Sequence, residues 1–136
     1  MDQKQTGYQD ESFRTGMQIR RDMFGPAGAE QRFAATTDFN RPFEEVVTRY
    51  CFGDTWSRPG LDRKTRSLIT LAALTAMVRP NQLRVHVRGA LANGATREEI
   101  REVLLHVVVY AGVPAGVEAF TAAGEVLKEL DANPGR

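Results

Sequence analysis

The punctuation between residues 56 and 94 constrains this chain more than any other feature. The stretch WSRPGLDRKTRSLITLAALTAMVRPNQLRVHVRGALANG keeps its turn residues to the two ends and one point in the middle. Pro59-Gly60 sets a turn, Asp62 stands where a carboxylate can cap a helix, and Pro80 suits the opening turn of a second helix. Gly94 then supplies a C-terminal stop. The spacing predicts a helical hairpin whose apolar residues need other helices to pack against. On its second arm lies His86, one of two histidines in the protein, with Gly89 and Ala90 three and four residues on. These share its face, which leaves room beside the imidazole for a partner helix or a small ligand.

The flanking sequence supplies the other helices. Residues 1–10 read as a flexible lead-in. Phe13, Met17, Ile19 and Met23 give helical periodicity from Glu11 to Phe24, and Gly25-Pro26-Ala27-Gly28 ends it. A helical turn is expected over 29–35. Asn40 and Pro42 open a helix that carries Phe43, Val46, Val47, Tyr50 and Cys51 and ends near Gly53. Beyond the hairpin, Thr96-Arg97-Glu98-Glu99 is a capping box. The apolar run VLLHVVVYAG that follows is β-rich in composition, but the box and the Glu99–Val103 spacing decide for helix. Pro114 starts a last helix with Val117, Phe120, Gly124 and Leu127 as its inward stripe, and the tail 131–136 breaks off. No period-two alternation with hairpin turns and no glycine-rich phosphate loop occurs. The expected fold is all-α, a compact bundle of about six helices forming one domain over 11–130.

The totals narrow the function. Charges balance to a formal +1, so no long-range field argues for nucleic acid or a membrane surface as partner. RPNQLR breaks the longest apolar run well short of the ~18 residues of a span. The first ten residues are unlike a secretion signal, and the cytoplasm is the expected compartment. Cys51 is the single cysteine, which excludes an intrachain disulfide and a two-cysteine redox centre. Two histidines with no cluster at ligand spacing argue against a metal site.

A few side chains stand out as candidates. His86 titrates near neutrality and can donate or accept a proton there, although a histidine on a partly apolar helix is more often a hydrogen-bonded core residue. Glu102, His106 and Tyr110 recur at four-residue spacing, a polar stripe on an apolar helix. That stripe either touches solvent or forms a wall of a polar cleft facing His86. Arg58, held between Trp56 and the rigid Pro59, suits a fork onto a carboxylate. Arg66 is the better placed of the two arginines in DRKTR, being nearer the apolar part of its helix. Arg84 and Arg88 lie two positions either side of His86 and so point away from it.

The residues RYCFGDTWSRPGLDRKTRSLITLAAL at 49–74, LRVHVRGALANGATREEIREVLLH at 83–106 and YAGVPAGVEAF at 110–120 resemble the carboxymuconolactone decarboxylases. The wider superfamily includes alkylhydroperoxidase D-like enzymes with the motif E-x11-C-x2-C-x3-H. Laying its histidine on His86 puts Ser67, Arg79 and Gln82 at the glutamate and the two cysteines, so thiol peroxidase chemistry is excluded. Gly89, Ala111 and Gly116 are small-for-small departures from the decarboxylase spelling.

The resemblance implies an alkylhydroperoxidase D-like helical fold, a ring-like homo-oligomer (trimer or hexamer) and a carboxylated lactone as the small-molecule substrate. The implied reaction takes 4-carboxymuconolactone to 3-oxoadipate enol-lactone in protocatechuate breakdown. Such a substrate is its own electron sink, so no cofactor is expected. His86 would deliver the proton or hydrogen-bond the dienolate, with Tyr110 or His106 as the other donor, and Arg58 with Arg66 would grip the remaining carboxylate. The alternatives are a relative acting on another carboxylated lactone or cyclic ketone, and a non-catalytic helical oligomer that binds a small acid or a partner protein.

Overall fold

A computed structural model describes residues 10–134, so the lead-in expected at 1–10 lies almost wholly outside the described residues. The chain divides into two compact units, Met1–Asp62 and Arg63–Arg136. Among the described residues there are seven α-helices and no strand.

In the N-terminal unit, α1 spans Glu11–Phe24. Asp10 caps it by accepting from the Phe13 N–H at 2.9 Å, and Gly25, at φ 72°, ends it as the sequence predicts. A 3-10 turn at Pro26–Gly28 and the short α2 (Glu30–Ala34) follow. α3 (Arg41–Val46) then passes without a break into a π-helical stretch, Val47–Trp56. The single helix expected to end near Gly53 therefore runs three residues further, with i→i+5 in place of i→i+4 hydrogen bonding. Ile19, Met23, Phe52 and Trp56 form the apolar core. Beside it lies a buried polar knot. Arg20 donates to Glu44 Oε2 at 3.0 Å, to Thr48 Oγ1 at 2.9 Å and to the Gly28 carbonyl at 3.0 Å, with its guanidinium over the Phe52 ring.

The C-terminal unit is built from α4 (Arg63–Ala76), α5 (Pro80–Ala92), α6 (Arg97–Ala111) and α7 (Val113–Ala132). α4 packs on α5 and α6, and α7 packs on the same two, so α5 and α6 occupy diagonal corners and scarcely touch. Leu71, Leu83, Val87, Ile100, Leu104 and Val126 meet in the middle. Several expected devices are present. Pro80 opens α5, Gly94 follows it at φ 93°, and both halves of the capping box form at Thr96 and Glu99.

Two details differ. The buried stripe of α7 is Ala115, Gly116, Ala119, Ala122, Ala123 and Val126; of the four residues expected there Leu127 packs against the core, whereas Val117, Phe120 and Gly124 face outward. The small residues let α7 lie close against its neighbours, and a Cβ on Gly116 would collide with Val108. Size mattered more than hydrophobicity in choosing the inward face. The helix also extends through Asp131, which accepts from Arg97 at 2.7 Å. At the hairpin corner Val78 adopts φ 54°, a left-handed conformation usual for glycine and costly for a β-branched residue.

Candidate functional site

Helical geometry sorts the side chains of α5 into three directions. Leu83, Val87 and Ala90 point into the core. Arg84 and Arg88 lie on one flank and bind across to α7, Arg84 to Glu125 at 2.7 Å and Arg88 to Glu129. They do turn away from His86, and their partners are in a neighbouring helix. His86 lies on the other flank, in line with Asn93 two turns later. Asn93 donates to Ser67 Oγ of α4 at 3.0 Å, so this flank faces α4.

His86 is half-buried, and its Nδ1 is shielded from solvent. Burial pushes the pKa of the imidazole below its ordinary value of 6.5, because the cation loses more hydration than the neutral ring. The buried Gly89 and Ala90 beside it carry no bulk, as the sequence suggested. Burial thus favours the neutral, donor-acceptor form of the ring, beside neighbours too small to crowd it.

Arg66 stands near the start of α4, next to Ser67, and its Nε is likewise shielded from solvent. The Ser67–Asn93 bond sets the register of the hairpin. By that register Arg66 lies roughly 12 Å along the axis from the level of His86, taking the rise as about 1.5 Å per residue.

His106 and Tyr110 sit together on α6, with ring centroids 5.2 Å apart and inclined at 46°. Both are exposed, Tyr110 at 80%. Since α6 is diagonal to α5, one chain does not bring this pair to His86. Leu105 and Val109 on the same helix, and Val113 and Val117 on α7, are also exposed. Glu102 is exposed too.

Arg58 belongs to the N-terminal unit. It is exposed, and its backbone N–H donates to the Thr55 carbonyl at 3.1 Å, which hangs it directly on the end of the π-helical stretch. Trp56 is buried and packs on Phe52. Cys51 is half-buried and its thiol pKa is raised by burial, the opposite of what an attacking thiolate requires. No group of three or more His, Cys, Asp or Glu able to hold a metal occurs among the described residues. Nor is any helix among them long and apolar enough to cross a membrane.

The pairing of Ser67 with Asn93 was not anticipated. Asn93 precedes Gly94 and reads from sequence only as a helix end. Ser67 is fully buried inside a charge-rich helix start, and only its solitary position between Arg66 and Leu68 hints at that.

Residues 41–125 match the carboxymuconolactone decarboxylase family. The chain belongs to that family. It is 38% identical over 125 residues to the 4-carboxymuconolactone decarboxylase of Acinetobacter baylyi, covering 92% of this chain and 93% of that one. It is 39% identical over 118 residues to the nitrosuccinic acid decarboxylase of Metarhizium robertsii, covering 87% and 82%. An uncharacterized 15.0 kDa protein of Paracoccus denitrificans is 46% identical over 83 residues, or 59% of this chain and 61% of the relative. Every candidate considered for the site, from Arg58 through His86 to Tyr110, lies inside the span matched by the carboxymuconolactone decarboxylase family.

Proposed function

We propose that this protein is a cofactor-free carboxy-lyase that converts 4-carboxymuconolactone to 3-oxoadipate enol-lactone in the cytoplasmic breakdown of protocatechuate. The observation that carries the reading is a half-buried histidine, its Nδ1 shielded from solvent so that burial disfavours the imidazolium, in a family whose Acinetobacter member has that activity by name. The departing carboxylate sits on the γ-carbon of an unsaturated lactone. When its bond to that carbon breaks, the electron pair spreads through the double bond onto the lactone carbonyl oxygen. A proton then adds to the α-carbon, and one proton is consumed for each carbon dioxide released.

A neutral imidazole suits the first half of this sequence. Its N–H can donate to the oxygen where charge gathers, and one well-aimed donor there contributes roughly 3 kcal/mol, about a hundredfold in rate. Because burial disfavours the imidazolium, His86 fits the hydrogen-bonding role better than that of proton source. Tyr110 or His106 would serve as the other donor. Standing diagonally from α5 and facing outward, they would do so for a neighbouring copy in a ring-like homo-oligomer. Arg58, with Arg66, would hold the acetate arm of the substrate. An arginine on the departing carboxylate would instead stabilise the ground state and slow the reaction.

A second substrate is favoured by the similarity to the nitrosuccinic acid decarboxylase. Nitrosuccinic acid also has two carboxyl groups, and loss of the one beside the nitro group leaves charge on a nitro oxygen. The shared requirement is a dicarboxylate whose decarboxylation pushes electrons onto an oxygen. One site could meet both cases with a donor at that oxygen and a grip on the second carboxylate.

The test is an ultraviolet assay of the purified protein with a chelator present. One sample receives 4-carboxymuconolactone made in place by its cycloisomerase, and another receives nitrosuccinate. Enol-lactone formation that falls about a hundredfold in kcat for His86→Ala supports the reading. Turnover of nitrosuccinate alone would move the assignment to the second substrate, and turnover of neither would refute both.

A further inference from the structure

The switch from α- to π-helical hydrogen bonding at Val47 has a geometric cause. On α1 the contact points are Ser12 and Gly16, four residues apart. On the facing stretch they are Thr48 and Gly53, five apart. A Cβ on Gly16 would collide with the Thr48 carbonyl, and one on Gly53 with the Ser12 carbonyl, so at both points backbone lies on backbone. In an α-helix, residues five apart face directions roughly 140° from each other, and only one of the two contacts could form. An i→i+5 turn holds about one residue more, which returns Thr48 and Gly53 to the same face. The Thr55 hydroxyl uses the same spacing, donating to the Tyr50 carbonyl at 3.0 Å.

The register has a consequence downstream. Over ten residues a π-helix falls behind an α-helix by roughly half a turn. The loop that leaves the stretch is tied to its last turn by two bonds, Ser57 Oγ to the Gly53 carbonyl and the Arg58 N–H to the Thr55 carbonyl. An α-helical Val47–Trp56 would send the same loop out on nearly the opposite side.

We infer that the paired glycine contacts at Gly16 and Gly53 hold Val47–Trp56 in π register in order to aim Arg58, which makes both glycines positioning residues for substrate binding. The inference rests on the proposal that Arg58 grips the second carboxylate of the substrate. It assigns a function to a register that the burial of apolar side chains alone does not demand, since an α-helix would bury Phe52 and Trp56 (four apart) equally well.

Three variants test it: Gly53→Ala, Arg58→Ala and their combination. Loss of an arginine–carboxylate grip should raise KM about ten- to a hundredfold with kcat largely kept. Gly53→Ala should raise KM by a similar factor, and the double variant should be no worse than Arg58→Ala alone. Trp56, the only tryptophan, sits at the end of the stretch and gives a readout independent of activity. Its emission should shift in Gly53→Ala and stay unchanged in Arg58→Ala.

A further variant guards against Gly53→Ala failing to fold. Deleting the exposed Tyr50 brings Thr48 and Gly53 to a four-residue spacing, so an α-helix can then make both contacts. That variant should fold and keep the parent KM and Trp56 emission. The inference falls if folded Gly53→Ala keeps the parent KM, if the two substitutions multiply independently, or if the Tyr50 deletion raises KM like Arg58→Ala. A parent-like KM for Arg58→Ala would instead refute the role of Arg58 itself, and Trp56 emission would still report whether the contacts set the register.

Discussion

In the C-terminal unit the interior is apolar apart from Ser67 and Thr75, and the charges stay outside, where Arg84, Arg88 and Arg97 pair across the surface with carboxylates on α7, beside exposed apolar residues such as Val109 and Val113. Across residues 39–50 of the N-terminal unit the order is reversed. Glu44, Glu45 and Thr48 are buried, while Phe39, Phe43, Val46 and Tyr50 are exposed. The first arrangement needs only a helical period of 3.6 residues that brings small and apolar side chains onto one face. The second depends on backbone contact at two glycines and on an arginine whose buried charge is matched by Glu44. Helical periodicity and side-chain size therefore account for one unit, and satisfied polar groups with close backbone approach account for much of the other.

The largest effect should come from breaking the knot. Arg20→Ala leaves Glu44 buried beside an empty space, since its other partner, Arg32, is an exposed side chain. Removing one member of a buried pair costs about 3–5 kcal/mol, and urea unfolding followed by Trp56 fluorescence would read it. Replacing both members, Arg20→Met with Glu44→Leu, should recover most of the loss. A cost below about 1 kcal/mol for Arg20→Ala would place the knot with ordinary surface pairs and erase the contrast.

The matching test in the other unit is Leu71→Ala. Leu71 is fully buried at the centre of the four helices, and the cavity should cost about 2–5 kcal/mol. No polar replacement should rescue it. Calorimetry on both single variants and on the Arg20/Glu44 double variant would show whether the two units fail for different reasons.

This contrast also explains what was legible from the sequence. The capping box at Thr96, the stop at Gly94 and the start at Pro80 act through local geometry, which residue identity states directly. The helix 97–111 was recoverable despite its β-branched run because its cap is local as well. The α7 stripe was misread because Ala119 and Ala122 score as weakly hydrophobic, yet only small residues allow that approach. The π register was invisible, since it arises from Ser12 and Gly16 meeting residues more than thirty positions away. For the site, His86 and its small neighbours were legible as a face of α5. The diagonal placement of His106 and Tyr110 was not, because nothing in a heptad tells which helix stands opposite.

Val78 offers a smaller test, at the corner that launches α5. A left-handed valine costs roughly 1–2 kcal/mol, whereas glycine adopts that conformation freely. After allowing for the greater flexibility of glycine in the unfolded chain, Val78→Gly should stabilise the protein by about 0.5–1 kcal/mol. A lower melting temperature in this variant would mean that the half-exposed valine side chain contributes more through packing than its backbone costs.

The pH dependence of stability carries the imprint of His86. The folded state holds the imidazole below its ordinary pKa of 6.5, so the unfolded state binds the proton more readily. Stability should be complete above pH 6.5 and decline as pH falls through the folded value. His86→Gln should flatten that part of the curve. A slope of the opposite sign would mean that the imidazolium is stabilised in place, and would turn His86 back into a candidate proton source.

The smallest effects should come from the exposed pairs on α7, and they sharpen the comparison because their distances match those of the knot. Arg84 meets Glu125 at 2.7 Å, closer than the 3.0 Å between Arg20 and Glu44. If distance set the energy, the surface pair would be the stronger. Solvent decides otherwise, since a pair in water gains little that hydration did not already provide, and such pairs contribute about 0–1 kcal/mol. A double-mutant cycle over Arg84 and Glu125 should give a coupling below about 1 kcal/mol that shrinks further in salt, because the Debye length is about 3 Å at 1 M. The cycle over Arg20 and Glu44 should be several times larger and nearly indifferent to salt. Equal couplings in the two cycles would show that water reaches the knot, and that the buried polar face of the N-terminal unit is held by its glycine contacts alone.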